Sequence, residues 1–366
     1  MFTYIVYNFI LFASTVSAYL YENSKLKSLS IIFYCIAFFI PFLFLAIRYD
    51  IGTDYQSYIN YFYRIASGED VPKEMGYIWI NQLIDYFVID VQWLFIFFGF
   101  FYLFFAFKSL PKQGFAFGLF LLITISYLYE GFSAIRQGLV ISMLTYVLHN
   151  IDEKGFWNYL VWIIIASFFH LVTAFLFLMA YPLVKIKLHK YISIFLVIGL
   201  FIAIQFTHIA ENIFAFGASI FPKYAWYLNS MQYASMAKTS FGLFGPIIKI
   251  SIVLPILFFQ DKIIKKFQKS KVMINFALLY IISYIFHLKI SIFGRVEHAF
   301  VFTYIIVMVY FVYTFHKYSR AFMIFFMGLF YYLMFMRYIV NGTLEIDNDV
   351  YVNPYQTVIF DRVGER

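Results

Sequence analysis

Cysteine is almost absent from this 366-residue sequence, and the single one, Cys35, sits in an apolar run. That excludes an internal disulfide and any cysteine-based metal cluster. Charge is scarce too. Only 13% of residues are Asp, Glu, Lys or Arg, against 63% hydrophobic, with a mean hydropathy of +0.81. A soluble surface needs far more charge than this. The N-terminal stretch "MFTYIVYNFILFASTVSAYLY" has no basic residue, so it reads as a first membrane helix and not as a cleaved signal peptide. No internal repeat is visible. The net charge of +8 has no soluble basic domain to carry it, because the lysines fall in short loops between apolar runs. Nucleic acid is therefore not an expected partner; the lipid bilayer is.

What the chain does contain is apolar runs of membrane-spanning length. A membrane helix needs about 20 largely apolar residues. The sequence predicts an all-α polytopic membrane protein with about twelve spans, at 3–20, 28–47, 91–107, 114–128, 133–149, 156–169, 171–186, 190–208, 243–260, 272–288, 297–315 and 320–339. The pair 156–169 and 171–186 is short and flanks His170. Residues 1–339 form one expected transmembrane domain with two long loops, 48–90 and 209–242, followed by a polar tail, 340–366.

Lysine sets the expected orientation. One set of alternate loops carries 15 basic residues against four acids, while the rest of the chain has 12 basic and 15 acidic. The lysine-rich set is predicted to be cytoplasmic. Both termini, the two long loops and the tail are then predicted to face outward.

Against that topology, the polar residues that are costly at membrane depth gather on the predicted outer side. An ionised group within the bilayer costs about 2.5–3.5 kcal/mol even on lenient scales, so it is usually paired or functional. The stretch "RYDIGTDYQSY" brings Arg48, Asp50, Asp54 and Tyr55 to the end of the second span. "FSAIRQGL" places Arg136 and Gln137 a turn inside the fifth span, and "FFHLVT" places His170 at a turn. "FGRVEHAF" supplies Arg295, Glu297 and His298, and "NPYQT" supplies Tyr355 from the tail. Seven of the eight arginines lie outside the lysine-rich loops. Lysine suffices for topology, whereas the planar arginine fork grips phosphate at two points. A pocket lined by Arg48, Arg136 and Arg295 would suit a pyrophosphate at the membrane surface.

Plainer readings stand beside these. Arg48 is also a natural interfacial anchor, and Asp54 a natural cap for the amphipathic helix that follows it. Arg136 fits an ion pair with Glu130, Arg295 a salt bridge with Glu297, and His170 a buried hydrogen-bonded imidazole. The tyrosines at 49, 55, 58 and 61 fit an interfacial belt as well as a platform for sugars.

"RYDIGTDYQSY", "SAIRQGLVISM", "FFHLVTAFLF" and "NPYQT" resemble the EpsG family of bacterial exopolysaccharide polymerases, relatives of the Wzy O-antigen polymerases. The resemblance implies a GT-C-like glycosyltransferase in the bacterial cytoplasmic membrane. It would join oligosaccharide repeat units carried on undecaprenyl diphosphate, with its active site facing outward. A flippase and a chain-length regulator are the protein partners it implies. Such chemistry must stabilise a lipid diphosphate as it leaves and deprotonate an acceptor hydroxyl. Arg48, Arg136, Gln137, Arg295, His298, Tyr55 and Tyr355 are the expected substrate-binding residues. Asp54, Glu297 and His170 are the expected proton acceptors. Asp50 and Asp54 are the only close carboxylate pair near the pocket and Arg48 competes with a cation there, so neither a metal nor another cofactor is expected. Two other classes fit a polytopic chain: a lipid-linked oligosaccharide flippase or other transporter, and a membrane acyltransferase with His170 as base. A transporter predicts repeat symmetry and charge near the midplane, and an acyltransferase has no need of three outer arginines.

Overall fold

A computed structural model describes residues 1–220, 244–290, 292–342 and 351–360. Those residues are helical almost throughout, and the one β-type pairing among them is an isolated antiparallel bridge between Arg48 and Thr357. The chain divides into two compact units, Met1–Leu178 with Phe315–Arg366, and Met179–Thr314.

In the first unit, α1 (Phe2–Asn23) packs along α2 (Lys27–Ala46), and α2 packs along α5 (Gln92–Ser109). Between α2 and α5 the expected outer loop is folded into two further helices, α3 (Tyr55–Ala66) and α4 (Met75–Phe87). The reason is periodicity. Tyr55, Tyr58, Phe62 and Ile65 recur at helical spacing and are buried, while Gln56, Ser57 and Asn60 stay exposed. Next, α6 (Phe115–Leu122) runs through a π-helical turn, Ile123–Tyr127, into the short α7 (Leu128–Glu130). After it come α8 (Ile135–His149), which packs on α5, and α9 (Ile151–Ser167). Gly155 adopts φ 73° within α9, so the regular helical part starts where the expected span 156–169 starts. The chain then breaks at residues 168–170 before α10 (Leu171–Ala180).

The second unit holds the short α11 (Pro182–Lys185), α12 (Lys190–Phe206), α13 (Ile209–Ile220), α14 (Phe244–Phe258), α15 (Gln260–Lys266), α16 (Ser270–His287), α17 (Phe293–Ala299) and α18 (Val301–Thr314). Helices α17 and α18 are bent by 49° where they join, and both pack on α16. The chain returns to the first unit with α19 (Lys317–Asn341).

Each expected span overlaps helix where its residues are described, but fewer than the twelve expected are long enough to span. Among the described residues, five helices are long and apolar enough to cross a membrane, or six if the bent pair counts as one span; several more are apolar but shorter. Their outer faces carry fully displayed aromatics such as Phe195 (79% exposed) and Phe322 (63%). Such surfaces are unfavourable in water and natural against lipid. The architecture fits a multi-pass membrane protein. Of the expected loop 209–242, residues 209–220 are helical and 221–243 lie outside the described residues. Of the expected tail, residues 343–350 and 361–366 lie outside them, whereas 351–360 fold back onto the first unit.

Candidate functional site

The quoted motifs of the first unit, scattered along the chain, meet. The backbone after α2 pairs with the returning tail. Tyr49 N–H donates to the Gln356 carbonyl at 3.1 Å, Val358 N–H to Ile47 at 2.9 Å, and Gly52 N–H to Tyr351. The Tyr355 hydroxyl donates to the Phe44 carbonyl at 2.8 Å, and its backbone N–H to Thr3 Oγ1 at 3.0 Å. So "NPYQT" is strapped to "RYDIGTDY", with Tyr355 as a buried tether.

The same segment leans on the chain before α8. Arg48 Nη1 donates to the Gly131 carbonyl at 2.5 Å, and Thr53 N–H to Ser133 Oγ at 3.2 Å. Gly52 makes the crossing possible. It adopts φ +98°, and a Cβ there would lie 2.2 Å from the Phe132 carbonyl oxygen. Only glycine meets both conditions.

Arg48 is buried, stacked 4.6 Å from the Phe95 ring centroid and 5.1 Å from that of Phe132. Its Nε and Nη2 make no hydrogen bond among the described residues. Burial pulls the guanidinium down to about 10, which leaves it cationic at neutral pH. Tyr55 stacks on the other ring of this sandwich, Phe95, at 4.8 Å. Burial pushes the phenols of Tyr55 and Tyr58 up to about 12, so both stay protonated.

Arg136 is the second cation of the neighbourhood. It pairs with Glu74, not with Glu130 as the sequence suggested, and its guanidinium lies over the Tyr77 ring, 5.0 Å from the centroid. Glu74 also accepts the N–H of Leu171 at 3.2 Å, the first residue of α10. Gly76 N–H donates to the Phe168 carbonyl at 2.9 Å. "FFHLVT" is thereby held beside "AIRQG". His170 Nδ1 receives the Thr173 N–H at 3.3 Å and lies 2.9 Å from its hydroxyl oxygen. A backbone N–H only donates, so in the neutral ring the proton sits on Nε2 and the basic nitrogen caps α10. Gln137 is buried on α8. Asp54 occupies the N-cap position of α3 without a side-chain capping bond and is exposed. Asp50 accepts from Gln56 Nε2 at 2.6 Å.

Arg295, Glu297 and His298 belong to the second unit, on α17. Arg295 is exposed and His298 half-buried. Glu297 is buried and heads a cluster that the sequence reading missed. Its Oε1 accepts from Lys249 Nζ at 2.7 Å, and its Oε2 lies 2.7 Å from His287 Nδ1. Lys249 sits over the rings of Tyr284, at 3.7 Å, and Tyr280, at 4.6 Å. The signal was present in "PIIKISIVL": a single lysine inside an apolar run, far from any topology-setting loop. Among the described residues no group of three or more His, Cys, Asp or Glu side chains gathers as a metal site.

The family model that matches this chain is described as the EpsG family and covers residues 31–357, a stretch that includes all the motifs quoted above. No curated protein and no solved structure matches the chain.

Proposed function

The chain belongs to the EpsG family of Wzy-like polysaccharide polymerases, and from that premise we propose that it joins undecaprenyl-diphosphate-linked oligosaccharide repeat units at the outer face of the bacterial cytoplasmic membrane. The reaction is glycosyl transfer by a GT-C-like enzyme. An acceptor hydroxyl oxygen bonds to the anomeric carbon of the donor sugar while the bond from that carbon to the diphosphate oxygen breaks. The hydroxyl proton passes to a base of the protein, and the lipid diphosphate leaves.

One observation supports this reading above the others. Four motifs from distant parts of the first unit meet around Arg48 and Arg136, and Arg48 is buried with two N–H groups lacking partners and no carboxylate in ion-pair range among the described residues. A buried cation without a counter-ion is costly. A polyanionic ligand at this neighbourhood relieves that cost, and fixed cations are what a departing diphosphate requires. Arg136 is the proposed direct contact of the first unit, with Gln137 and Tyr55 beside it; in the second unit, taken by itself, Arg295 and His298 are the proposed contacts. Arg48 adds positive potential from below, and Tyr355 holds the segment that carries it. Asp54 and His170 are the weaker proton acceptors. Asp54 is exposed, and the basic nitrogen of His170 is occupied by Thr173. The Glu297 cluster is the stronger. A flippase that delivers the units and a chain-length regulator are the partners such a polymerase needs.

The test is direct. The purified chain, reconstituted in lipid, is incubated with a defined undecaprenyl-diphosphate repeat unit. A ladder of products at repeat-unit spacing is expected. Unchanged substrate, or movement of substrate across the bilayer without new glycosidic bonds, would overturn the proposal.

A further inference from the structure

We infer that His287 is the proton acceptor, and that Glu297 and Lys249 are positioning residues that act through it. The inference rests on the polymerase reading, and concerns the second unit alone.

The chemistry of the three side chains assigns the protons. A lysine ammonium has donors only. Bonded at 2.7 Å to Glu297 Oε1, it holds the carboxylate in its ionised, accepting form. The other carboxylate oxygen therefore accepts too, and the 2.7 Å contact to His287 Nδ1 is donated by the ring. In the neutral imidazole the lone pair is then on Nε2. This is the arrangement in which a buried carboxylate fixes the tautomer of a histidine that works as a base.

Exposure separates the members of the cluster. The side chains of Glu297 and Lys249 are 8% and 16% exposed, while that of His287 is 36% exposed. The carboxylate has both oxygens occupied and little access. The imidazole alone is open. Gly294, one turn before Glu297, keeps the room: a Cβ there would lie 3.0 Å from both His287 Cε1 and Nε2. Among the described residues, the other titratable groups at the cluster come from packed neighbours. Tyr280 and Tyr284 lie on α16 under Lys249, Tyr304 on α18 stacks on Tyr280 at 4.5 Å, and His298 lies on α17 near Glu297. A lysine, a glutamate and a histidine in apolar helices have a cost that simple helix packing does not require. A base with a fixed tautomer accounts for all three.

In the reaction, a sugar hydroxyl hydrogen-bonds to Nε2 and passes its proton there as its oxygen bonds to the anomeric carbon. The imidazolium that forms is stabilised by Glu297, and it releases the proton to water when product departs.

Two measurements on the full-length chain in lipid test this. In the first, carbethoxylation by diethyl pyrocarbonate is mapped by mass spectrometry. His287 is expected to react in the folded protein, and an unreactive His287 that reacts only after denaturation overturns an open Nε2. In the second, turnover is measured with the lipid-diphosphate repeat unit. General-base catalysis is worth about 100- to 10,000-fold. His287→Ala is therefore expected to lower kcat by at least about 100-fold with the donor KM unchanged, to lose the acidic limb of the pH profile, and to regain rate with added imidazole. A misfolded variant is not rescued by imidazole, and a structural histidine leaves the pH limb in place. A wild-type chain that makes no ladder overturns the polymerase reading and the base role with it. A wild-type ladder with undiminished kcat in His287→Ala overturns the base role alone. So does a lowered kcat that imidazole does not restore and whose acidic limb persists.

Discussion

At the scale of single residues, charge and shape make separable demands. Arg136 already pairs with Glu74, and the proposed reaction asks it to meet a diphosphate as well. Arg136→Lys keeps the charge and loses the fork. Removing one such donor from a charge-stabilising site costs about 100- to 1,000-fold in turnover. A loss in that range is expected, with normal amounts of protein in the membrane. Equal turnover in the lysine variant would reduce Arg136 to an ion-pair partner of Glu74. Gly52 tests shape in the same neighbourhood. Gly52→Ala must place a methyl 2.2 Å from a backbone oxygen at φ +98°, where neither side can give way cheaply. Left-handed strain alone costs about 1–3 kcal/mol. The thermal midpoint should therefore fall, and an unchanged midpoint would mean that the crossing of residues 52 and 132 is not rigid.

Depth marked Arg136 in the sequence, because a cation a turn inside an apolar run demands a partner. It did not identify that partner. Glu74 is 62 positions away in a segment without hydrophobic periodicity to fix its place. Lys249 carried the same mark as Arg136, but its partner Glu297 lies 48 positions away, so nothing local in the sequence ties the lysine to a site.

At the scale of elements, length and periodicity carried most of the information. Long apolar runs became helices, and the spacing of Tyr55, Tyr58, Phe62 and Ile65 gave the amphipathic α3 after Asp54. The strap formed by residues 351–358 left no such trace. It is made of backbone hydrogen bonds between segments about three hundred residues apart, and these bonds depend little on side-chain type. The motif "NPYQT" hinted at a role without showing where it docks. Because the strap is held by backbone N–H groups, it answers to proline. Val358→Pro removes the N–H that reaches Ile47. Loss of such a bond costs about 1 kcal/mol or more, so the thermal midpoint should drop, and turnover with it, since the strap borders Arg48. Val358→Ala keeps the N–H and should leave both close to wild type. Equal effects from the two variants would assign the loss to the side chain and remove the strap from the argument.

At the scale of the whole molecule, the distribution of charge bears on which side of the membrane the chemistry occupies. Of the alternate loops expected from the sequence, one set carries 14 of the 19 lysines, while seven of the eight arginines, Asp54 and the tail fall outside it. Among the described residues five or six helices are of spanning length rather than the twelve spans expected, and the structure does not orient them, because an apolar helix is the same from either end. Orientation is a property of the loops and of insertion. Two exposed sites on opposite sets of loops decide it: Ser67, just after α3, and Gln268, between α15 and α16. In a Cys35→Ser background, a cysteine at each site is treated in intact cells with a membrane-impermeant maleimide. Ser67→Cys is expected to label directly, and Gln268→Cys only after permeabilisation. The opposite pattern would put Arg48 and Arg136 on the cytoplasmic side. The donor would then meet these arginines before export, and a role in joining exported units would be lost even if both arginines bind diphosphate.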